Sequence, residues 1–197
     1  MRSRGAWGAV LGLALLAGGS AGAASTQGDV NIFAKGGVGT YTGGLGEFTS
    51  PGPSWGVTLN FQPYRFLGVE LGYEGSRQAV DDNRFLDGAE PSLMRHGGSS
   101  LIKLSPPFLE QVRPFLGAGL GATYVSVSGQ ANGLYESDFM EEVPVAAGLE
   151  FNSGAFTAGV RTTYRILVNQ GFADPALADE GPGGGLFDAA LTLGGRF

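Results

Sequence analysis

His96 is the only histidine of the chain, and it stands in the segment RHGGSS with Ser99 and Ser100 close behind it. Histidine, serine and a carboxylate together form a common set for nucleophilic hydrolysis. Here the serines follow a glycine pair, and a solvated histidine at the rim of the fold is the simpler interpretation. No group of metal-ligating residues accompanies His96, and the chain contains no cysteine, so neither a metal nor another cofactor is expected.

A second set of side chains that could do chemistry carries charges of both signs at alternate positions of otherwise apolar segments. Its members are Lys35, Glu70, Glu74, Glu142, Glu150, Arg161, Arg165, Asp188 and Arg196. Because their neighbours are apolar, these side chains should point to the interior of a sheet whose other face is apolar. There they would form a salt-bridge network that satisfies a polar interior, or they would line a narrow aqueous path.

The segment GAGLGA, residues 117–122, has a spacing like that of a dinucleotide-binding loop. No helix follows it, so the sequence predicts no nucleotide site there. We expect Gly117, Gly119 and Gly121 to line the interior instead, where they leave room for bulky side chains from other strands.

The elements that must position these residues are strands, because apolar and polar residues alternate from end to end between clusters of Gly, Pro, Asn and Asp. Eight strands are predicted, at residues 30–41, 54–62, 66–76, about 94–104, 113–128, 139–151 and 155–168, and in the segment that ends at Phe197. The fourth is the least regular, and its inward face is not assigned. Pro144 in the sixth predicts either a bulge or regular pairing that begins only at Val145.

The connections between these strands alternate in length, which is typical of a transmembrane barrel with short periplasmic turns and long extracellular loops. Aromatic residues also fall into two groups, one beside the short turns and one beside the long loops. The first group is Phe61, Phe66, Phe151, Phe156 and Phe197, and the second is Trp55, Tyr73, Tyr124, Phe139, Tyr164 and Phe187. The predicted fold is therefore all-β: an eight-stranded antiparallel up-and-down transmembrane β-barrel.

The chain termini fit export to a membrane. Residues 1–24 combine Arg2 and Arg4 with a short apolar run and small residues, which predicts a signal peptide and leaves residues 25–197 for the barrel. The last strand resembles the carboxy-terminal strand by which bacterial outer-membrane barrels are recognised for assembly, with Leu191, Leu193 and Phe197 as the expected signal. Without Arg2 and Arg4, ten basic residues remain against 18 acidic ones, a net charge of −8. This charge argues against nucleic acid as a partner and gives no general help in binding anionic lipid headgroups.

The whole mature region resembles the small eight-stranded outer-membrane barrel superfamily, the OmpA/OmpX-like group, in the segments RPFLGAGLGATYV, FLGVELGYE and LTLGGRF. The resemblance implies residence in the cell outer membrane of a Gram-negative envelope. It also implies contact with outer-membrane lipid and lipopolysaccharide, and with the barrel-assembly machinery during biogenesis. Since the sequence ends at Phe197, the peptidoglycan-binding domain of longer members is not expected.

The sequence is compatible with three functions. The first is a non-enzymatic barrel with a filled or very narrow lumen and a structural or interaction role, on its own or as a membrane subunit of an envelope assembly. Its partner would be an envelope protein that binds the extracellular loops or the periplasmic turns. The second is a small porin-like channel for ions or small solutes. The third is a lipid A-modifying enzyme. The acidic segments between strands are expected to be solvated loops; these residues are Asp81, Asp82, Asp87, Glu90, Asp174, Asp179 and Glu180.

Overall fold

The computed structural model describes residues 29–47, 49–80, 92–106, 111–128, 138–168 and 184–197. Eight antiparallel strands form a closed barrel in which β8 pairs with β1, so the predicted fold class is confirmed. The strands are β1 Asp29–Tyr41, β2 Gly52–Tyr64, β3 Leu67–Ala79, β4 Ser92–Leu104, β5 Val112–Ser128, β6 Asp138–Ser153, β7 Phe156–Val168 and β8 Gly185–Arg196. A short 3-10 helix, Gly43–Glu47, follows β1.

The register of the strands determines the width of the barrel. Following paired residues once around the sheet leads from Val30 on β1 back to Thr40 on the same strand, which gives a shear number of ten. Eight strands with this stagger are tilted by about 40° to the barrel axis. A barrel of this size has an interior just wide enough to be filled by its own side chains.

The two ends of the barrel differ. The connections 65–66, 105–111 and 154–155 are short and lie at the same end as both termini of the barrel, which we call the turn end. The strand ends joined by the other, longer connections lie at the opposite end, which we call the loop end, and the first of these connections contains the 3-10 helix. All the aromatic residues assigned to the two belts are exposed, as predicted. The loop end therefore corresponds to the extracellular end of a membrane barrel.

The alternation of side chains along each strand separates an apolar exterior from a polar interior. On β7, Val160 and Ile166 are exposed, whereas Arg161, Thr163 and Arg165 are buried. This arrangement is the reverse of a soluble barrel, because the solvent around a transmembrane barrel is lipid.

Pro144 lies within β6 and interrupts the pairing on one side of the strand only. β6 begins at Asp138, not at Val145, and its pairing with β7 is continuous through Pro144. On the β5 side two pairs are missing, yet the same register continues on either side of the gap, so no bulge residue is inserted. The reason is that a strand residue donates its N–H to only one neighbour. The proline removes one ladder hydrogen bond towards β5 and leaves the β7 side intact.

Two groups of predicted features lie outside the described residues. They are the signal peptide of residues 1–24 and the acidic loop residues Asp81, Asp82, Asp87, Glu90, Asp174, Asp179 and Glu180. Within the described part of the chain, no helix is long and apolar enough to cross a membrane.

Candidate functional site

The interior of the barrel, its lumen, contains two groups of buried ion pairs. We call Glu70, Lys103, Glu150 and Arg161 the turn-end cluster, since they lie near the short connections. We call Lys35, Glu74, Arg95, Glu142 and Arg165 the loop-end cluster. The strands position them by alternation alone, because each residue stands on the inward parity of its strand. Side chains of both clusters are less than one tenth exposed.

The turn-end cluster is a chain of contacts across four strands. The Nζ of Lys103 on β4 lies 3.3 Å from Oε1 of Glu70 on β3 and also pairs with Glu150 on β6. From β7, Arg161 Nη1 reaches Oε2 of Glu70 at 2.6 Å. The ring of Phe115 packs against both cations, with Lys103 Nζ 4.5 Å and Arg161 Cζ 5.6 Å from its centroid. The face of the Phe115 ring thus attracts the two cations and partly compensates their removal from water.

The loop-end cluster is held by two carboxylates. Oε2 of Glu142 accepts hydrogen bonds from Arg95 Nη2 at 2.5 Å and from Thr123 Oγ1 at 3.0 Å. The other oxygen of Glu142, Oε1, lies 3.5 Å from Nε of Arg165. Glu74 pairs with Arg165 and with Lys35. Arg165 therefore joins the two carboxylates into one connected set.

The described lumen buries equal numbers of charges. The five basic side chains are Lys35, Arg95, Lys103, Arg161 and Arg165, and the five acidic ones are Glu70, Glu74, Glu142, Glu150 and Asp188. Removing a charge from water costs several kcal/mol unless a partner compensates it. Nine of these charges are paired with one another, and Asp188 balances their total, which is the condition under which they can be buried together.

Eight of the nine residues assigned to the lumen network lie inside the barrel, and one does not. Arg196 is the last residue of β8, at the mouth of the turn end, where its side chain is exposed. Asp188 is buried but belongs to neither cluster; it lines a small cavity together with Lys35 and Arg165. Two basic residues in the clusters were not predicted. Arg95 and Lys103 are both on β4, the strand whose inward face the sequence left unassigned.

An apolar layer lies between the loop-end cluster and the loop end of the barrel. We call it the apolar cap. Its members are Tyr41, Leu45, Val80, Leu93, Val125, Met140, Leu167 and Leu186, all buried in one contact cluster. Leu45 comes from the 3-10 helix, so this helix folds over the barrel end. The cap was not predicted from the sequence, because its inward residues are apolar and depart from the polar-inside pattern at the strand ends.

Little free space remains around the loop-end cluster. The cavity lined by Lys35, Arg165 and Asp188 has a volume of about 10 Å³, enough for about one water molecule. Glycines provide the room for the charged side chains. A Cβ at Gly56 would come within 2.7 Å of Cε of Lys35, and one at Gly121 would come within 2.9 Å of Cγ of Glu142. The charged stems are thus packed against bare backbone.

We expect Gly121→Val to destabilise the barrel by about 2 kcal/mol, because the new side chain displaces Glu142 from its partners. Urea unfolding in detergent micelles measures this change. Ala122→Val is the matched control: it is the next residue of β5 and faces outward, so it should change the free energy of unfolding by less than about 0.5 kcal/mol. Equal effects of the two substitutions would contradict the close packing at Gly121.

His96, Ser99 and Ser100 do not come together as a nucleophilic site in the structure. His96 faces the exterior, where it is half-buried, and its Nδ1 is 2.9 Å from the hydroxyl of Tyr73. Ser99 lies on the inward parity of β4, on the opposite face from His96. Ser100 faces outward but lies four residues along the strand, about 13 Å away. The imidazole is therefore engaged by a tyrosine, not by either serine.

Comparison with known proteins agrees with this architecture. No protein-family model matches the sequence, and no curated protein does either. The attachment invasion locus protein Ail of Yersinia pestis, in complex with the heparin analogue sucrose octasulfate, matches with a TM-score of 0.59 at 14% identity, over 86% of this chain and 99% of that chain. Neisserial surface protein A matches with a TM-score of 0.58 at 14% identity, over 85% and 97% of the two chains.

A third match is the outer-membrane protein OprG of Pseudomonas aeruginosa, with a TM-score of 0.52 at 15% identity, over 86% of this chain and 96% of that chain. At such identities the likeness concerns the fold. It covers nearly the full length of each matched barrel, so no large part of that fold is missing here. The resemblance read from the sequence and the structural matches agree on the fold, and the chain is an eight-stranded antiparallel β-barrel with the fold of small outer-membrane barrels.

Proposed function

We propose that this protein is a non-enzymatic outer-membrane barrel with a filled lumen, and that it serves a structural or interaction role in the cell envelope. The observation that carries the proposal is the pairing of buried lumen charges beneath the apolar cap. An open aqueous path would need these side chains to be hydrated, whereas here they bind one another. The absence of catalysis is supported by His96, whose Nδ1 bonds to Tyr73 on the outer wall.

In this role the barrel acts on its own or as the membrane subunit of an envelope assembly. Its lipid partners are the phospholipid and lipopolysaccharide of the outer membrane, and the barrel-assembly machinery inserts it. Because the lumen is filled, a protein partner would bind the extracellular loops or the periplasmic turns. Cross-linking in native membranes followed by affinity purification tests for such a partner. Recovery of the assembly machinery alone, under conditions that retain known envelope complexes, would argue for a barrel that acts on its own.

A small porin-like channel is the second candidate, because the same ten charges would line an aqueous path if the cap moved aside. The filled lumen predicts that the purified monomer shows no stable ohmic conductance in planar lipid bilayers. Insertion is verified in the same sample by the shift in gel mobility that a folded barrel shows on boiling. A reproducible conductance step that scales with the number of inserted monomers would overturn the filled lumen in favour of the channel.

A further inference from the structure

A row of side chains crosses the outer wall of the barrel near the loop end. Trp55 on β2 is directly opposite Gly75 on β3, Gly75 is opposite His96 on β4, and His96 is opposite Tyr124 on β5. All four positions are on the outward parity of their strands. The row therefore runs in register across four strands on the lipid-facing surface.

Trp55 and His96 of this row contact each other, and Tyr73, two residues before Gly75 on the outer face of β3, joins them. A Cβ at Gly75 would come within 2.6 Å of the Trp55 indole, so the indole lies flat over that glycine. The rings of Trp55 and His96 meet edge to face, with centroids 6.3 Å apart. Tyr73 stacks on His96 at 6.2 Å and hydrogen-bonds its Nδ1 through the hydroxyl at 2.9 Å. These contacts fix the imidazole among aromatic rings, at the level where a barrel meets the polar region of the membrane.

Arg77 places a permanent positive charge beside this row. It lies two residues beyond Gly75 on the same outward face of β3, and its side chain is exposed. It pairs with Met94, which precedes His96 by two residues on the outer face of β4, so Arg77 and His96 are diagonal neighbours. Arg77 Nε donates to Ser92 Oγ at 3.3 Å, which directs the guanidinium towards the loop end. A guanidinium has five N–H donors, and this bond uses one of them.

Arg77 differs in its location from the other basic residues that the structure describes. Five of the described basic side chains are buried in the lumen. Arg65, Arg113 and Arg196 belong to the turn end. Among the described residues, Arg77 is thus the basic side chain exposed on the outer wall at the loop end. The overall charge of the chain is negative, so binding of an anion here depends on the local arrangement and not on the net charge.

We propose that Arg77, His96, Tyr73 and Trp55 bind the phosphate-bearing sugar headgroup of an outer-leaflet lipid. The guanidinium pairs with the phosphate, since arginine and phosphate form strong, often bidentate, charge-assisted hydrogen bonds. The polar edges of the indole, phenol and imidazole rings bind the headgroup below it, and their apolar faces contact the first acyl carbons. The inference requires the outer-membrane location of the barrel and holds whether or not the lumen conducts.

The fluorescence emission of Trp55 measures lipid binding at this site. The chain has two tryptophans, and Trp7 lies in the predicted signal peptide, so in the exported protein the emission of Trp55 reports on this site alone. The variant Trp7→Phe ensures the same for any uncleaved chain. Protein purified from outer membranes in detergent is titrated with bisphosphorylated lipid A, with lipid A from which both phosphates have been removed, and with inorganic phosphate. We expect a saturable change in emission with the phosphorylated lipid only. Arg77→Gln should weaken that binding at least tenfold, and a further His96→Gln should weaken it again.

Arg65→Gln is the matched control, since it removes an exposed arginine at the turn end and should leave the affinity unchanged. The boiling-dependent gel shift verifies that each variant is folded. Equal affinity for lipid A with and without phosphates would overturn the proposal, as would an equal loss in the Arg65 and Arg77 variants. The same emission change with inorganic phosphate would also overturn it, because the site would then bind an anion without selecting a lipid. The lipid titration and the bilayer conductance measurement are independent. A negative result in the titration therefore does not count against the filled lumen.

Discussion

Glu142→Gln is expected to lower the free energy of unfolding of the barrel by about 3 kcal/mol, the usual consequence of removing one member of a buried ion-pair network. Glu142 is the common partner of Arg95, Arg165 and Thr123. Without its charge, Arg95 loses its ion pair with Glu142, and Arg165 shares Glu74 with Lys35. Urea unfolding in phospholipid vesicles, followed by tryptophan fluorescence and by the boiling-dependent gel shift, measures the loss.

Glu141 offers a control at the next position of the chain. It has the same side chain on the same strand, but it faces outward and is exposed. Glu141→Gln should change the free energy of unfolding by less than about 0.5 kcal/mol, as expected for a surface position. If the two substitutions prove equal, the buried carboxylates do not hold the lumen together, and the proposal of a filled interior loses its main support.

Deletion of Phe197 should reduce the amount of folded protein in the outer membrane severely. The structure shows two terminal contacts that this deletion removes: the N–H of Phe197 donates to the carbonyl of Val30 at 2.8 Å, and the N–H of Val30 donates to that of Phe197 at 3.2 Å. The ring itself is 79% exposed on the outer surface. Ring burial in lipid contributes about 2 kcal/mol, and each hydrogen bond about 1 kcal/mol.

Those losses alone would leave most of a barrel folded, because a folded domain is stable by about 5–15 kcal/mol. A large drop in membrane level would therefore reflect a kinetic defect in assembly, and it would appear as degradation or as periplasmic accumulation. Phe156→Ala is the control, since Phe156 is an equally exposed aromatic at the same end of the barrel. Membrane levels measured by immunoblot should be near normal for Phe156→Ala. Normal levels for the Phe197 deletion would refute its assignment as an assembly signal.

The strands and their outward faces were predictable because the membrane imposes a strict period of two on the exterior. On β3, the sequence LGVELGYE alternates large apolar residues with glycine and glutamate, and the structure exposes Val69 and Leu71 while it buries Glu70 and Glu74. The same rule predicted both aromatic belts. It requires no knowledge of the partner strands, and this is why it works from one sequence.

The interior was less predictable, because the types of its residues depend on their contacts with one another inside the barrel and not on contact with lipid. β4 exposes Gly98 and Ser100 and buries Leu93 and Leu101, so its apolar pattern does not distinguish the two faces. The basic residues of β4 were missed for this reason. Arg196 has the inward parity of its strand but lies at the very mouth of the barrel, where its side chain is exposed. Which cation pairs with which carboxylate depends on the shear of the whole sheet, and this cannot be read from any single strand.

The partners in the lumen come from distant parts of the sequence. Glu70 pairs with Lys103 on the neighbouring strand but also with Arg161, which is 91 residues away. A hairpin that entered the bilayer alone would expose its inner charges to hydrocarbon, at about 2.5–3.5 kcal/mol for each charged residue. Entry strand by strand would thus meet a barrier that grows with every hairpin. The buried pairs favour a sheet that curls and closes as it enters, so that its charges reach the interior of the membrane already neutralised by one another.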